Sequence, residues 1–255
     1  MHSMFRLAVP PLLTQRLLSL AFVTLAGWAA TAAALPPLHV LIDTGTRMPQ
    51  AEIVDDVVRS GLQRDLGLAL AERLGREVSF RLLPRRRIAD ALLGGVQADL
   101  LCNYLPAWLP PGLLWSKAFL PDAELLLSSR RVAAPAGLAE LSGRPIGTIG
   151  GFVYPQFEQV LGVRFRREDA PNAEANMRKL AAGRMDHAII GRTTFDYLIR
   201  RDVEGLTIHP PLVVSSFKTH CALSPRSPVR LAELNAAITA LEADGGLQGL
   251  LARYR

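Results

Sequence analysis

Past its first 34 residues the sequence has no uncharged apolar run long enough to cross a bilayer, so the part that follows is expected to be soluble. It also lacks the short signatures of common catalytic sites. There is no Gly-x-Ser-x-Gly elbow, no Gly-x-x-x-x-Gly-Lys phosphate loop and no His-Glu-x-x-His zinc pair. These absences remove the plainest hydrolase, nucleotide-hydrolysing and zinc-peptidase readings, and no catalytic residue, metal ligand or cofactor is expected. Histidines are few and scattered: His2, His39, His187, His209 and His220. His187 sits inside an apolar strand pattern and reads as a core residue. His220 and Cys221 are neighbours on a strand, so they point to opposite faces and do not make a nucleophile pair. Cysteine is scarcer still, with only Cys102 and Cys221, which either form one bridge or stay as small buried hydrophobes.

What is present is globular: 49% hydrophobic and 20% charged residues over 255 positions do not describe a disordered chain. The N-terminus differs in kind. Arg6 and Arg16 precede the uncharged run LLSLAFVTLAGWAATAAA (Leu17 to Ala34), which ends in small residues of the signal-peptidase type. Residues 1–34 therefore read as a secretory leader, with a retained anchor as the rival because eighteen residues just suffice to span. Export implies the periplasm. Without the leader, 27 basic side chains stand against 23 acidic ones, a net charge of +4. The basic clusters PRRR (Pro84 to Arg87) and RFRRED (Arg164 to Asp169) lack interleaved aromatics or a recognition helix, so a solvated face is expected and no nucleic-acid partner.

Periodicity supplies the fold class. LHVLID (Leu38 to Asp43) reads as a strand opening into the loop TGTRMPQ. Leu62, Leu66, Leu70 and Leu74 then share one helical face that ends at Gly75. VSFRLL is a second strand, Pro84 opens the helix RRRIADALL capped at Gly94 and Gly95, and DLLC is a third strand. After a proline-rich stretch and the strand AELLLSS, the cycle repeats: helix GLAELSG, strand PIGTIGG, helix YPQFEQVLG, strand VRFRRE, helix NAEANMRKLAAG, strand HAIIG and helix TTFDYLIRR. The strand LVVSSFKTHCALS and two leucine-rich helices close the chain. Both cycles contain the same passage, helix to glycine to aspartate to strand, in LLGGVQADLL and LAAGRMDHAII. This order predicts an α/β protein of two lobes, each a mostly parallel sheet flanked by helices. The expected boundaries are 35–123 plus 209–255 for a discontinuous first lobe and 124–208 for an inserted second one.

Six stretches in order, GLQRDLGLALAERLG, LPRRRIADALLGGVQADLL, WSKAF, LSGRPIGTIGGFVYP, LAAGRMDHAIIG and ALEADGGLQGLLARY, resemble the bacterial extracellular solute-binding proteins of family 3, the polar amino-acid type. The resemblance implies the type II periplasmic binding fold, two lobes joined by two crossing strands, and a ligand held in the cleft by hinge closure. It also implies an arginine after the third strand for a ligand carboxylate and an acid at the end of the DAVVVD-like strand for its ammonium. Here the first position falls near Leu109 and the second on Gly191 and Arg192, so a zwitterionic amino acid is a poor match and an anionic or aromatic-bearing solute is expected.

The candidate ligand-binding residues follow from strand ends. Asn103, Tyr104 and Trp108 lie beyond the third strand, the aromatics offering flat apolar surface or else packing their own loop. Gly151 and Phe152, between a strand and a helix, offer amides for an anion or simply make a tight turn. Arg192, with Thr193 beside it at a helix start, is the leading carboxylate grip, and Arg47 and Arg85 are further cations. The expected protein is a non-enzymatic, monomeric periplasmic binder delivering its ligand to an ABC-type membrane permease. The alternatives are a sensor or accessory protein for redox-enzyme assembly, and a lyase or dehydratase on the same fold.

Overall fold

The protein was analysed as a computed structural model that describes residues 35–94, 98–201 and 203–254. The expected leader and Gly95 lie outside the described residues. The chain opens with β1 (Leu38–Asp43), whose alternation of Val40 and Ile42 with Leu41 buries both faces, as a central parallel strand requires. After the expected loop a short hairpin follows, β2 (Glu52–Val54) and β3 (Val57–Ser60), which the sequence pattern did not reveal. Its turn residues Asp55 and Asp56 both hold positive φ, 51° and 56°, the conformation a two-residue hairpin turn demands. Aspartate tolerates that region through local hydrogen bonding, but an Asp-Asp pair without glycine is a weak sequence signal.

Helix α1 (Leu62–Arg73) buries Leu62, Leu66 and Leu70 and stops before Gly75, which takes φ 63°. Then come β4 (Val78–Leu83), α2 (Arg85–Gly94), β5 (Leu100–Tyr104), the two-residue β6 (Leu114–Trp115) and β7 (Leu120–Ser128). The expected helix over GLAELSG is only a single tight turn, Leu138–Leu141, because glycines bracket it and leave too few residues to propagate. The second cycle continues with β8 (Pro145–Ile149), α3 (Pro155–Leu161), β9 (Arg166–Ala170), α4 (Ala173–Ala181), β10 (His187–Gly191) and α5 (Arg192–Ile199). The long strand β11 (Leu212–Leu223) and helices α6 (Leu231–Ala243) and α7 (Gly246–Tyr254) complete the chain.

The strands hydrogen-bond in the order β4, β1, β5, β11, β7, β10, β8, β9, with β6 also paired to β11. Within each half the pairings β1 to β4, β1 to β5, β8 to β9 and β8 to β10 are parallel, as strand-helix-strand connections dictate. Two antiparallel strands, β7 and β11, run between the halves and pair with each other from Leu120 opposite Thr219 to Leu126 opposite Leu212. Two separate sets of cores result. In the first half α1, α6 and α7 cover one face through Leu66, Leu70, Leu234, Ile238 and Leu250, and α2 covers the other through Ile88 and Leu92. In the second half Met177, Leu180 and Leu198 cover one face and Phe157 and Leu161 the other.

The two helix-glycine-aspartate passages have a structural meaning. Asp99 accepts the His39 amide through Oδ2 (2.9 Å) and donates its own amide to the His39 carbonyl, pinning β5 beside β1. Asp186 likewise takes the Ser129 amide on its carbonyl beside β7. Cys102 and Cys221 face each other across β5 and β11 and form a disulfide with a Cα separation of 3.9 Å. Of the two sequence alternatives, the bridge is the one realised, and it withdraws Cys221 from any pairing with His220. His187 is buried, with Nδ1 2.9 Å from Ser128 Oγ. Among the described residues no helix is long and apolar enough to cross a membrane.

Candidate functional site

The cavity that stands between the two halves has a volume of about 310 Å³. That is the lower end of the range for small-molecule sites, enough for a compact solute. Its floor is made by β7 and β11, and its walls by the C-terminal ends of β1 and β5 on one side and of β8 and β10 on the other. Parallel strands end there because each is followed by a helix that turns back along the sheet, leaving the strand ends and their loops open.

Six of the nine expected residues line this cavity: Arg47, Arg85, Asn103, Tyr104, Trp108 and Phe152. Asn103 holds φ 65°, and its amide is engaged at both ends, donating from Nδ2 to Gln50 Oε1 and accepting at Oδ1 from Thr219 Oγ1, both at 2.9 Å. Tyr104, Trp108 and Phe217 form an edge-to-face chain with centroid spacings of 6.0 and 6.1 Å, an apolar wall of three rings. Burial pushes the Tyr104 hydroxyl up to about 12 despite the neighbouring Arg85, so it stays protonated. Trp108 both lines the cavity and packs against the α2-side core.

Arg85 crosses the cleft. Its Nε donates to the Gly151 carbonyl at 3.1 Å and its Nη1 to the Tyr104 hydroxyl at 2.9 Å, while the guanidinium lies 4.2 Å from the Phe152 ring centre and 5.3 Å from that of Tyr104. Arg47 turns Nη1 back onto the carbonyls of Thr44 and Thr46, at 3.2 and 2.8 Å.

The remaining three expected residues are placed differently. Gly151, Arg192 and Thr193 are not among the cavity-lining residues. Gly151 takes φ 78° in a tight turn in which the Phe152 amide donates to the Ile149 carbonyl, so that amide is spent and the glycine offers its carbonyl to Arg85 instead. At the start of α5 the anion position is filled from within. Asp122 Oδ1 accepts from the Thr193 backbone amide at 3.0 Å and from its hydroxyl at 3.2 Å, satisfying the two donors that Thr193 was expected to present to a ligand.

The lining carries charge of both signs. Asp43, Asp122, Glu124 and Glu174 line the cavity against Arg47 and Arg85. An acid is missing at Gly191, but a Cβ there would lie 3.5 Å from Asp122 Oδ2, so the neighbouring strand supplies a carboxylate to the same place. Sequence reasoning missed Asp43, Gln63, Asp122 and Glu124. The signals were available for three of them: Asp43 ends the first strand, and Asp122 and Glu124 alternate on one strand and so share a face. Burial, with Asp122 adding repulsion, pushes the Glu124 carboxyl up to about 7.

Solved structures share this architecture. An ancestral arginine-binding protein bound to arginine superposes with a TM-score of 0.70 at 17% identity, covering 86% of this chain and 97% of that one. A histidine kinase sensor domain with similarity to periplasmic binding proteins gives 0.70 at 20% identity over 86% and 95% of the two chains. The chain has the type II periplasmic binding protein fold. An amino acid ABC transporter substrate-binding protein, AbpA from Streptococcus pneumoniae, bound to L-arginine, gives 0.66 at 14% identity over 86% and 94%. No protein-family model matches the sequence. No curated protein matches it either. At these identities the type II likeness carries the fold, while the ligand is a question for the residues in the cleft. Among the described residues no group of three or more His, Cys, Asp or Glu side chains is arranged to hold a metal ion.

Proposed function

We propose that the protein is an exported solute-binding protein that captures a small polar solute in the cleft between its lobes, 35–123 plus 209–255 and 124–208, and delivers it to an ABC-type permease in the membrane. The observation that carries this reading is the cavity itself: strand ends from both halves converge on about 310 Å³ of space walled by rings and lined with ionisable groups. Two crossing strands, β7 and β11, are the hinge on which such a cleft shuts, and a ligand touching both lobes favours the shut form. The secretory leader read at residues 1–34 supports a binding step in the periplasm.

A thermal-shift screen of the purified protein against amino acids, dicarboxylates, aromatic acids and amines tests the reading. A ligand at a thousandfold excess over its dissociation constant stabilises the folded state by about 4 kcal/mol, a plain rise in melting temperature. A protein that no member of such a set stabilises is not a small-solute receptor. One second reading has a specific support: the likeness to a histidine kinase sensor domain favours a receptor that signals rather than transports. Both begin with the same captured solute, and affinity isolation with the charged ligand separates them, a permease favouring transport and a kinase signalling.

A further inference from the structure

The cleft also indicates the chemical class of its ligand, an inference that rests on the solute-binding reading above. Two acceptor atoms of cavity-lining side chains are buried without a hydrogen-bond partner among the described residues, Gln63 Oε1 and Glu124 Oε2. Gln63 is 8% exposed at the start of α1 in the first half, and Glu124 projects from β7 beside Gly191 of the second. A buried acceptor without a donor is costly, and the protein supplies donors with care elsewhere in the cleft, to Asn103, Tyr104 and Asp122. What these two atoms lack is an N–H or O–H donor.

Charge points the same way. The cations of the cleft are engaged by the protein's own acceptors: Arg85 by the Gly151 carbonyl, the Tyr104 hydroxyl and two ring faces, Arg47 by two carbonyls. The carboxylates outnumber them, with Asp43 in the first half and Asp122 and Glu124 together on β7. Between these groups stand the rings of Tyr104, Trp108 and Phe217, whose faces are electron-rich and favour a positive charge or the methylenes beside one. An anion would meet this surplus of carboxylate.

We propose that the ligand is a small organic amine cation, donating N–H to Glu124 from one wall and to Gln63 from the other, its carbon skeleton lying against Trp108 and Phe217, with no carboxylate required for binding.

Calorimetric titration with putrescine, phenethylamine and tyramine, set against succinate, benzoate and tyrosine, tests this. At least one of the three amines is expected to bind, with succinate and benzoate silent. Glu124→Gln, which keeps the shape and removes the charge, is expected to weaken the amine at least tenfold, and Gln63→Leu to weaken it several-fold. Circular dichroism and the ligand-free melting temperature establish that both variants fold. If none of the amines binds while succinate or benzoate does, the amine assignment is overturned and the solute-binding reading survives. Tyrosine binding while tyramine is silent overturns the absence of a carboxylate requirement. An amine that binds Glu124→Gln as tightly as the wild type overturns the assignment of that carboxylate. Silence from every probe and from the wider screen removes the amine and the solute-binding reading together.

Discussion

Replacing Glu124 with glutamine should stabilise the empty protein, increasingly so as pH rises from about 4.5 to 7. The Glu124 carboxyl titrates near 7 in the fold against an ordinary value of 4.5, chiefly because burial penalises its charged form and secondarily because Asp122 lies two residues along the same strand. Its other neighbours are Gly191 across β10, Ser215 across β11 and the Tyr154 hydroxyl, none of which carries a positive charge. The folded state therefore holds this proton more tightly than the unfolded chain does. Below about pH 4.5 both states are protonated and the group is neutral toward stability. From there to pH 7 the unfolded chain ionises first, so stability falls as pH rises, and above 7 the full cost is present. A shift of this size corresponds to about 3 kcal/mol, trimmed to about 2 by the part of the carboxyl that the cavity leaves wet. For a chain of this length that is about 4–8 °C in melting temperature. Melting curves of wild type and Glu124→Gln should thus coincide near pH 4.5 and separate toward pH 8, the variant melting higher. Parallel curves, offset equally at every pH, would refute a buried ionised carboxylate at this position. An amine ligand supplies the missing positive charge, so it should narrow the gap at pH 8, and amine affinity should climb between pH 6 and 8.

Three further expectations concern the frame around the cleft. Because the Cys102 to Cys221 bridge closes a loop across a sequence separation of 119, the double replacement by alanine should cost up to about 5 kcal/mol, read as a lower denaturant midpoint that reducing agent reproduces in the wild type and leaves unchanged in the variant. Gly61 takes φ 118°, and a Cβ there would lie 2.5 Å from Ala51 Cα and 2.6 Å from the Gln50 carbonyl, both rigid backbone. Gly61→Ala should cost more than the ~1–3 kcal/mol of backbone strain alone and disturb the loop carrying Gln50, visible as a lower melting temperature. Arg85→Ala removes the contact between α2 and the turn at Gly151 and Phe152, so small-angle scattering should show a larger radius of gyration; an unchanged radius would mean that β7 and β11 alone set the spacing of the halves.

The sequence by itself determined the elements whose signals are local. Leucines at 62, 66 and 70 mark a helix whatever the rest of the chain does, and the runs LHVLID and VSFRLL coincide with β1 and β4 from end to end. The repeated helix-glycine-aspartate-strand passage is legible for the same reason: a turn and its cap are set by residues a few positions apart. Tertiary structure decided what depends on residues brought together from far along the chain. The Asp-Asp hairpin was hidden because nothing in two aspartates demands positive φ until β2 and β3 pair. Arg192 and Thr193 looked ready for an anion because their helix start was visible, whereas Asp122, which fills that place from about seventy residues earlier, was not. The carboxylates of the cleft were hidden by the same gap. A strand shows which of its residues share a face, but which strand lies beside it is decided by sheet pairing, and only the pairing of β7 with β10 sets two carboxylates beside Gly191.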